Sequence, residues 1–306
     1  AAFGHVVLAD SLVQLQADAA TYDRRAGQAT ASGQVVARTP RLPGSLRAGN
    51  VRYDTQAGVA LLGGGAVLER ALGDSGTAAL RAEGMRLDVT AGRLEVEDSL
   101  RLETPDAWLR ADCGGYSEAD SALLLAGRAH WRQVRAADAW ESSLDAETMR
   151  VVLDGGRIVR VELPGAFAGA VTARSGSRSW LSGRGGAVEV ADGRPDSFAI
   201  AAEAEVTHRD GGRGQTTHCT SRQMTLQIDA DGLRRVEASG GAQMASWLPA
   251  AGPAADSLAR AAARDDRQAA RNRVTGEQLE ILFDGDQMDV RVGPGVDGTY
   301  QPADSN

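Results

Sequence analysis

Apolar and polar residues alternate along most of this chain, most clearly in residues 80–97, LRAEGMRLDVTAGRLEVE. Leu80, Arg81 and Ala82 run apolar, charged, small. Met85, Leu87 and Val89 then alternate with Arg86 and Asp88, a turn follows at Thr90-Ala91-Gly92-Arg93, and Leu94-Glu95-Val96-Glu97 resumes the pattern. Period two with a Gly-containing turn between the runs predicts a hairpin with one dry and one wet face. The dry positions change parity between Ala82 and Met85, which predicts a bulge or a corner there. One such hairpin cannot bury its apolar face alone, so it needs neighbours.

The chain supplies them. Similar stretches run over 15–37, 46–65, 109–131 and 144–166, and the small anchors Ala17, Ala48, Ala82, Ala111 and Ala146 fall 31, 34, 29 and 35 residues apart. Tyr22, Tyr53, Leu87, Tyr116 and Val151 each sit five places beyond their anchor, and the turn glycines Gly27, Gly58, Gly92 and Gly155 nine or ten beyond. Weaker copies begin at Gly185 (with Val188, Val190, Gly193), Ser221 (Met224, Leu226, Gly232) and Gly276 (Leu279, Ile281, Gly285). The pattern predicts an all-β fold of stacked antiparallel strands. Its one exception is 253–273, an Ala- and Arg-rich stretch after Pro253 without alternation. With Asp256 as cap, it predicts a short helical insertion near 254–272.

Length and composition narrow this picture. A chain of 306 residues accommodates one long domain or two ordinary ones. The Ser/Gly/Arg-rich stretch 167–180 is the softest join, dividing 1–166 from 167–306 either as two domains or within one continuous domain. Aromatic residues make up only 4% and glycines number 37, which suits thin sheets with many turns better than a thick core of Phe and Trp. Every basic residue is Arg, and the net charge of −8 argues against a nucleic-acid partner, which needs a basic face. No run of 18 apolar residues is present to span a membrane as a helix. The start at Ala1 lacks a basic stretch followed by an apolar one, so a signal peptide is either absent or already removed.

Residues able to carry chemistry are sparse. Of the four histidines, only His208, His218 and the adjacent Cys219 suggest metal ligation, and adjacent strand residues point to opposite faces, so no metal site is expected. Asp18, Asp54, Asp88 and Asp112 recur with the repeats, as Asp residues bonding turn backbone do. A hydrolytic carboxylate pair would occur once, in a cleft. Gly63-Gly64-Gly65 and Gly211-Gly212 lack the Gly-Lys-Ser/Thr ending of a phosphate loop, and no catalytic residue or cofactor is expected. The remaining candidate is the repeated apolar face: Val51, Tyr53, Leu62, Leu80, Met85, Leu87, Leu94, Val96, Met149, Val151 and Val161. These residues either close into a core between two sheets or line an apolar groove that two splayed sheets leave open to a lipid. Met85 and Met149 would give such a groove an adaptable wall.

The pattern Leu-x-Ala-acidic-x-Met-x-Leu-Asp…Gly-x-Leu…Gly resembles the OstA-like (LptA-like) domain of lipopolysaccharide transport proteins. It is carried by Leu80–Val96 and Leu46–Gly65, and by Leu144–Val161 without the Asp. Thr275-Gly276-Glu277-Gln278-Leu279…Asp289-Val290-Arg291-Val292…Gly298-Thr299-Tyr300 is similar to the same family. The resemblance covers most of 10–300, weakly over 167–215 and not over 250–272. It implies a periplasmic, elongated β-jellyroll, folded lengthwise like a taco, with acyl chains between its sheets and end-to-end stacking into a bridge between membranes.

The expected function is therefore a non-enzymatic lipid-binding bridge or conduit in lipopolysaccharide transport and outer-membrane assembly. Its partners would be lipopolysaccharide or another acylated lipid, and other OstA-like components that pair with exposed edge strands. The alternative is a structural β-repeat scaffold of the envelope with a closed apolar core and no ligand; a hydrolase of envelope glycans is a distant third. Cys113 and Cys219 belong to distant copies and are expected as two free thiols.

Overall fold

The structure, a computed structural model, describes residues 2–9, 11–71, 76–135, 140–212, 214–247, 272–284, 287–293 and 297–300. These residues form 21 strands and no helix. Residues 254–271 of the expected helical insertion lie outside the described residues, and Asn272 already begins a strand. The chain divides into two compact units, Ala1–Trp131 with Glu147–Val161, and Arg132–Ala146 with Glu162–Asn306. The first holds β1 (Ala2–Ala9), β2 (Gln14–Asp23), β3 (Gln28–Thr39), β4 (Leu42–Asp54), β5 (Val59–Ala71), β6 (Thr77–Asp88), β7 (Arg93–Val96), β8 (Leu100–Glu103), β9 (Ala107–Ala111) and β10 (Cys113–Ser117). Strands β11 (Ala122–Arg135), β12 (Trp140–Asp154) and β13 (Arg157–Thr172) contribute to both. The second holds β14 (Arg178–Ala191), β15 (Arg194–Arg209), β16 (Thr216–Ser221), β17 (Gln223–Asp229), β18 (Gly232–Trp247), β19 (Asn272–Asp284), β20 (Gln287–Val292) and β21 (Asp297–Tyr300). The Ser/Gly/Arg-rich stretch ends β13 and starts β14, with a tight turn between them in which Ala173 N donates to Ser177 O at 3.0 Å.

In the first unit β1 to β6 pair in sequence, each antiparallel to the next. β6 then pairs with both β7 and β8, while β8 continues to β9 and β7 to β10. β7 and β8 are thus two halves of one long strand, as are β9 and β10. In the second unit β16 and β17 are halves of one strand lying between β15 and β18, and β20 and β21 both pair with β19.

The breaks and the bulges form one feature, a corner in the middle of each long strand. The register shifts between Gln16 and Ala19, Ser32 and Val35, Arg47 and Asn50, Gly63 and Ala66, and, in the second unit, Ser239 and Ala242. On β2, β4 and β6 the next inward position at the corner comes three residues on rather than two (Ala17 then Ala20, Ala48 then Val51, Ala82 then Met85), and on β3 and β5 it comes four on (Ala31 then Val35, Leu62 then Ala66), all buried. The parity change read from the sequence is this corner. A bulge holds one extra residue against the partner strand, so the same face stays inward on both limbs of the bend. Left-handed backbone makes the bulge: Gly33, Gly64, Gly127 and Gly240 have φ of +72°, +72°, +71° and +81°. At Gly127 an added Cβ would also lie 2.8 Å from Asp112 Oδ2. Ser99 N donates to Asp112 O at 2.7 Å and Asp112 N to Gly127 O at 2.8 Å, so the interrupted strands keep their backbone groups satisfied through the corner.

The turns between limbs repeat as closely. Oδ1 of Asp23 accepts from the backbone N of Arg25 and Ala26, Oδ1 of Asp54 from Gln56 and Ala57, and Oδ1 of Asp88 from Ala91. Consecutive turns also bond to each other: Thr55 N to Gly27 O, Val89 N to Gly58 O, Glu118 N to Gly92 O and Leu153 N to Ser121 O, at 2.8–3.1 Å. Cross-strand pairs such as Arg86–Glu95 (2.8 Å) and Arg81–Glu103 (3.1 Å) lie on the outer face, where exposed ion pairs add little stability.

Gly127→Ala should therefore destabilise the protein more than Gly155→Ala. Both require a side chain at positive φ, but only Gly127 also faces a carboxylate, since nothing lies within 4 Å of a Cβ at Gly155. Losses of about 2–3 and about 1 kcal/mol are expected in denaturant titrations. Equal losses would show that the corner has room to spare.

Candidate functional site

Cross-strand register gathers the apolar positions into rows. On one limb of the first unit, Ala29, Tyr53, Ala60, Leu87, Leu94, Tyr116 and Leu123 lie opposite one another on successive strands, with Ala31, Val51, Leu62 and Met85 forming a parallel row. Beyond the corner, Ala37, Leu46, Leu68, Leu80, Leu102 and Leu109 form a third. Seven of the expected lining residues sit in these rows: Val51, Tyr53, Leu62, Met85, Leu87, Leu94 and Leu80. Val96 lies opposite Gly114, and Met149, Val151 and Val161 are buried on β12 and β13. All eleven are at most 4% exposed, so the interior is shut around them. Leu46 and Leu109 join the face unannounced by the eleven, yet each stands two residues before its anchor Ala, in the Leu-x-Ala pattern that the repeats display.

The second unit repeats the arrangement where the sequence copies are worn. Val188, Phe198, Leu226, Val236, Ile281 and Val290 form one row across six strands. Leu181, Val206, Cys219, Met244 and Val274 form another.

A cleft enters the interior of the first unit, with an empty volume of about 560 Å³ that includes its part open to solvent. Pro43, Leu68, Ala78, Leu80 and Leu102 form one wall and Tyr116, Leu123, Leu153 and Ile158 the other, so the two limbs face each other across it. Of the eleven expected residues, Leu80 lines this cleft, and Tyr53 lines another hollow of the same unit with Leu8, Val13, Leu15 and Ala29. Arg70 stands at its rim, with Nη1 donating to Tyr116 Oη at 2.9 Å and to Glu118 Oε2 at 3.3 Å, while Tyr116 Oη donates to the same Glu118 oxygen at 2.5 Å. Burial, and then the bond to Glu118, push the Tyr116 hydroxyl up to about 12, so it stays protonated. The Arg70 and Glu118 side chains are 27% and 29% exposed, and the three groups tie the ends of the two limbs together.

The polar candidates separate rather than assemble. Cys219 is wholly buried in an interior row, and burial alone pushes its thiol up to about 12. His218 lies on the opposite face, with Nδ1 3.0 Å from Thr207 Oγ1. Cys113 and Cys219 are both free thiols. Among the described residues no three His, Cys, Asp or Glu side chains are placed to hold a metal ion. His208 Nδ1 lies 2.9 Å from Ser179 Oγ; His208 borders a hollow of the second unit with Ser175, Ser177, Asp210 and Asp231, but Ser179, 3% exposed, does not line it. Asp54 and Asp88 bond turn backbone as expected. Asp18 and Asp112 stand at corners instead, and Asp112 takes a two-pronged ion pair from Arg128 at 2.7 and 3.0 Å.

Two outcomes follow. Glutamate in place of Met85 (3% exposed) must either strip its carboxylate of water or part the limbs, so Met85→Glu should cost on the order of 3 kcal/mol in a denaturant titration of ligand-free protein. An unchanged midpoint would mean that water reaches this row. His208 is depressed to about 4, chiefly by burial and against the opposing pull of Asp210. Its folded value lies below the ordinary 6.5, so its neutral form stabilises the fold above that pH. As pH falls from 6.5 towards 4 the unfolded chain alone takes up the proton, and up to about 3 kcal/mol is lost. His208→Gln should flatten the stability profile over that window; an unchanged slope would assign the loss to carboxylates.

No family model matches the chain, and no curated protein matches it. Among solved structures it is similar to that of LptH from Pseudomonas aeruginosa, described as the LptA homologous periplasmic component of the conserved lipopolysaccharide transport device. The two share 21% identity with a TM-score of 0.31, over 34% of this chain and 75% of that one.

Proposed function

We propose that this protein is a non-enzymatic, periplasmic lipid-binding component of lipopolysaccharide transport and outer-membrane assembly, holding acyl chains between the limbs of its folded sheets. The observation that carries this reading is an apolar interior, built by repetition across many strands, that opens to solvent through a cleft with aliphatic walls. Each methylene buried there would gain about 0.8 kcal/mol before ordering costs. The Leu-x-Ala repeats that resemble the OstA-like family supply the narrower assignment to lipopolysaccharide. The full burial of all eleven expected lining residues favours the second reading, a scaffold whose core is complete without a ligand.

Native mass spectrometry of the protein isolated from a Gram-negative envelope separates the two. Acylated lipid retained at about one per chain supports the conduit, and ligand-free protein supports the scaffold. The bridge also needs partners at its strand edges. Val7 in β1 is half exposed, and Val290 in β20 lies opposite Ile281. Photo-crosslinkers at these two positions should capture a second copy or another transport component in cells, and capture of neither at normal expression favours the scaffold.

A further inference from the structure

The rim of the cleft carries more chemistry than closing it requires. Its walls are mostly aliphatic, with Thr104 and Tyr116 among them, yet three polar groups converge at one point of the rim. Arg70 and Tyr116 both donate to a single carboxylate oxygen of Glu118, and Arg70 donates to the Tyr116 hydroxyl as well. A guanidinium and a phenol aimed at one oxygen form a cradle for an anion, and here the anion comes from the chain itself. Glu118 holds that place from the turn joining β10 to β11, where its backbone is tied to Gly92 and Ser121, so only its side chain need move to vacate the cradle. That side chain is 29% exposed, so it can leave into water without being stranded. An acyl chain entering between Leu80 and Leu123 would bring its own head group to the rim, where Glu118 now sits.

We propose that the cleft takes an amphiphile with one acyl chain and an anionic head, and that the head replaces the Glu118 carboxylate on Arg70 and Tyr116. This rests on the lipid-binding reading and adds the head-group chemistry and the contact that must break. Glu118 acts as a built-in competitor: it keeps the limb ends tied when no ligand is present, and only an anionic head takes its place on Arg70 and Tyr116. The Tyr116 hydroxyl remains a donor throughout the physiological range, because burial and its carboxylate neighbour oppose its ionisation.

The test uses the full chain and two fluorescent probes, 11-(dansylamino)undecanoic acid and its methyl ester, which differ only in head charge. Wild-type protein should bind the acid about tenfold more tightly than the ester, the size of one charge-assisted hydrogen bond, and dodecyl phosphate should displace the acid. Arg70→Gln should bring acid and ester level, and Tyr116→Phe, which keeps the ring on the cleft wall, should weaken the acid several-fold. Glu118→Gln should tighten the acid about tenfold and leave the ester unchanged, since removing the competitor's charge frees the cradle. Equal binding of acid and ester by wild-type protein overturns the head-group site while leaving the lipid reading standing, as does weaker acid binding by Glu118→Gln. If neither probe binds, the lipid reading of this cleft falls and the proposal with it. The wild-type comparison needs no variant, so a fold lost in Arg70→Gln leaves the answer intact.

Discussion

The structure depends on what happens to side-chain parity in the middle of each long strand. A strand has two faces and a fixed period of two, so a strand bent around a corner must keep the same face inward on both limbs or expose one of them. Neighbouring strands do this in two ways: the inward step is three residues in β2, β4 and β6 and four in β3 and β5, where the extra residue is taken up in the left-handed region that glycine occupies at least cost. Everything else follows from that switch. The anchor alanines are small because they are the last inward residues before the limbs converge. The apolar rows are continuous because every corner falls at the same height in its strand. The cleft exists because two limbs, not one sheet, face each other.

Much of this is legible in the residues themselves. The step from Ala82 to Met85 records the corner, and the Asp-to-Gly spacing of Asp54–Gly58 and Asp88–Gly92 records the turns. The worn copies of the second unit fold alike because the corner asks for smallness rather than alanine: Ser221 and Gly276 stand opposite the buried Ala204 and Ala242, and Gly185 supplies left-handed backbone at φ +66°. The cleft and its rim are a different matter. Arg70, Tyr116 and Glu118 meet because ends of opposite limbs meet, and their separations of 46 and 48 residues follow no period of the repeat. Asp112 is distinguished by spacing: it stands one place after its anchor Ala111, where Asp54 and Asp88 stand six after theirs, and at that corner its partner is Arg128 instead of turn backbone.

The uneven repeat length has a physical origin as well. Turns of the kind that carries Gly27, Gly58 and Gly92 leave four residues between strands, and the equivalent turns at 155–156, 192–193 and 230–231 leave two. The alternate connections follow no such rule: two residues join β3 to β4, five join β5 to β6, and the 24 residues 248–271 fall between β18 and β19. The first kind is held by hydrogen bonds from each turn to the next, so an inserted residue there would break a bond in the neighbouring copy. The second kind absorbs the variation, which is why the anchors drift between 29 and 35 residues while the turns within each copy keep their place.

That turn-to-turn bonding has a consequence for how such a chain can change over generations. A single added strand would reverse the direction of all that follow and put a loosely specified connection where a bonded turn must stand. Growth or loss is therefore confined to whole hairpins. Each one widens a unit by two strand spacings, roughly 10 Å, and lengthens the gene by about one repeat. The reach of the interior is quantised, and lineages of this fold would differ by integers.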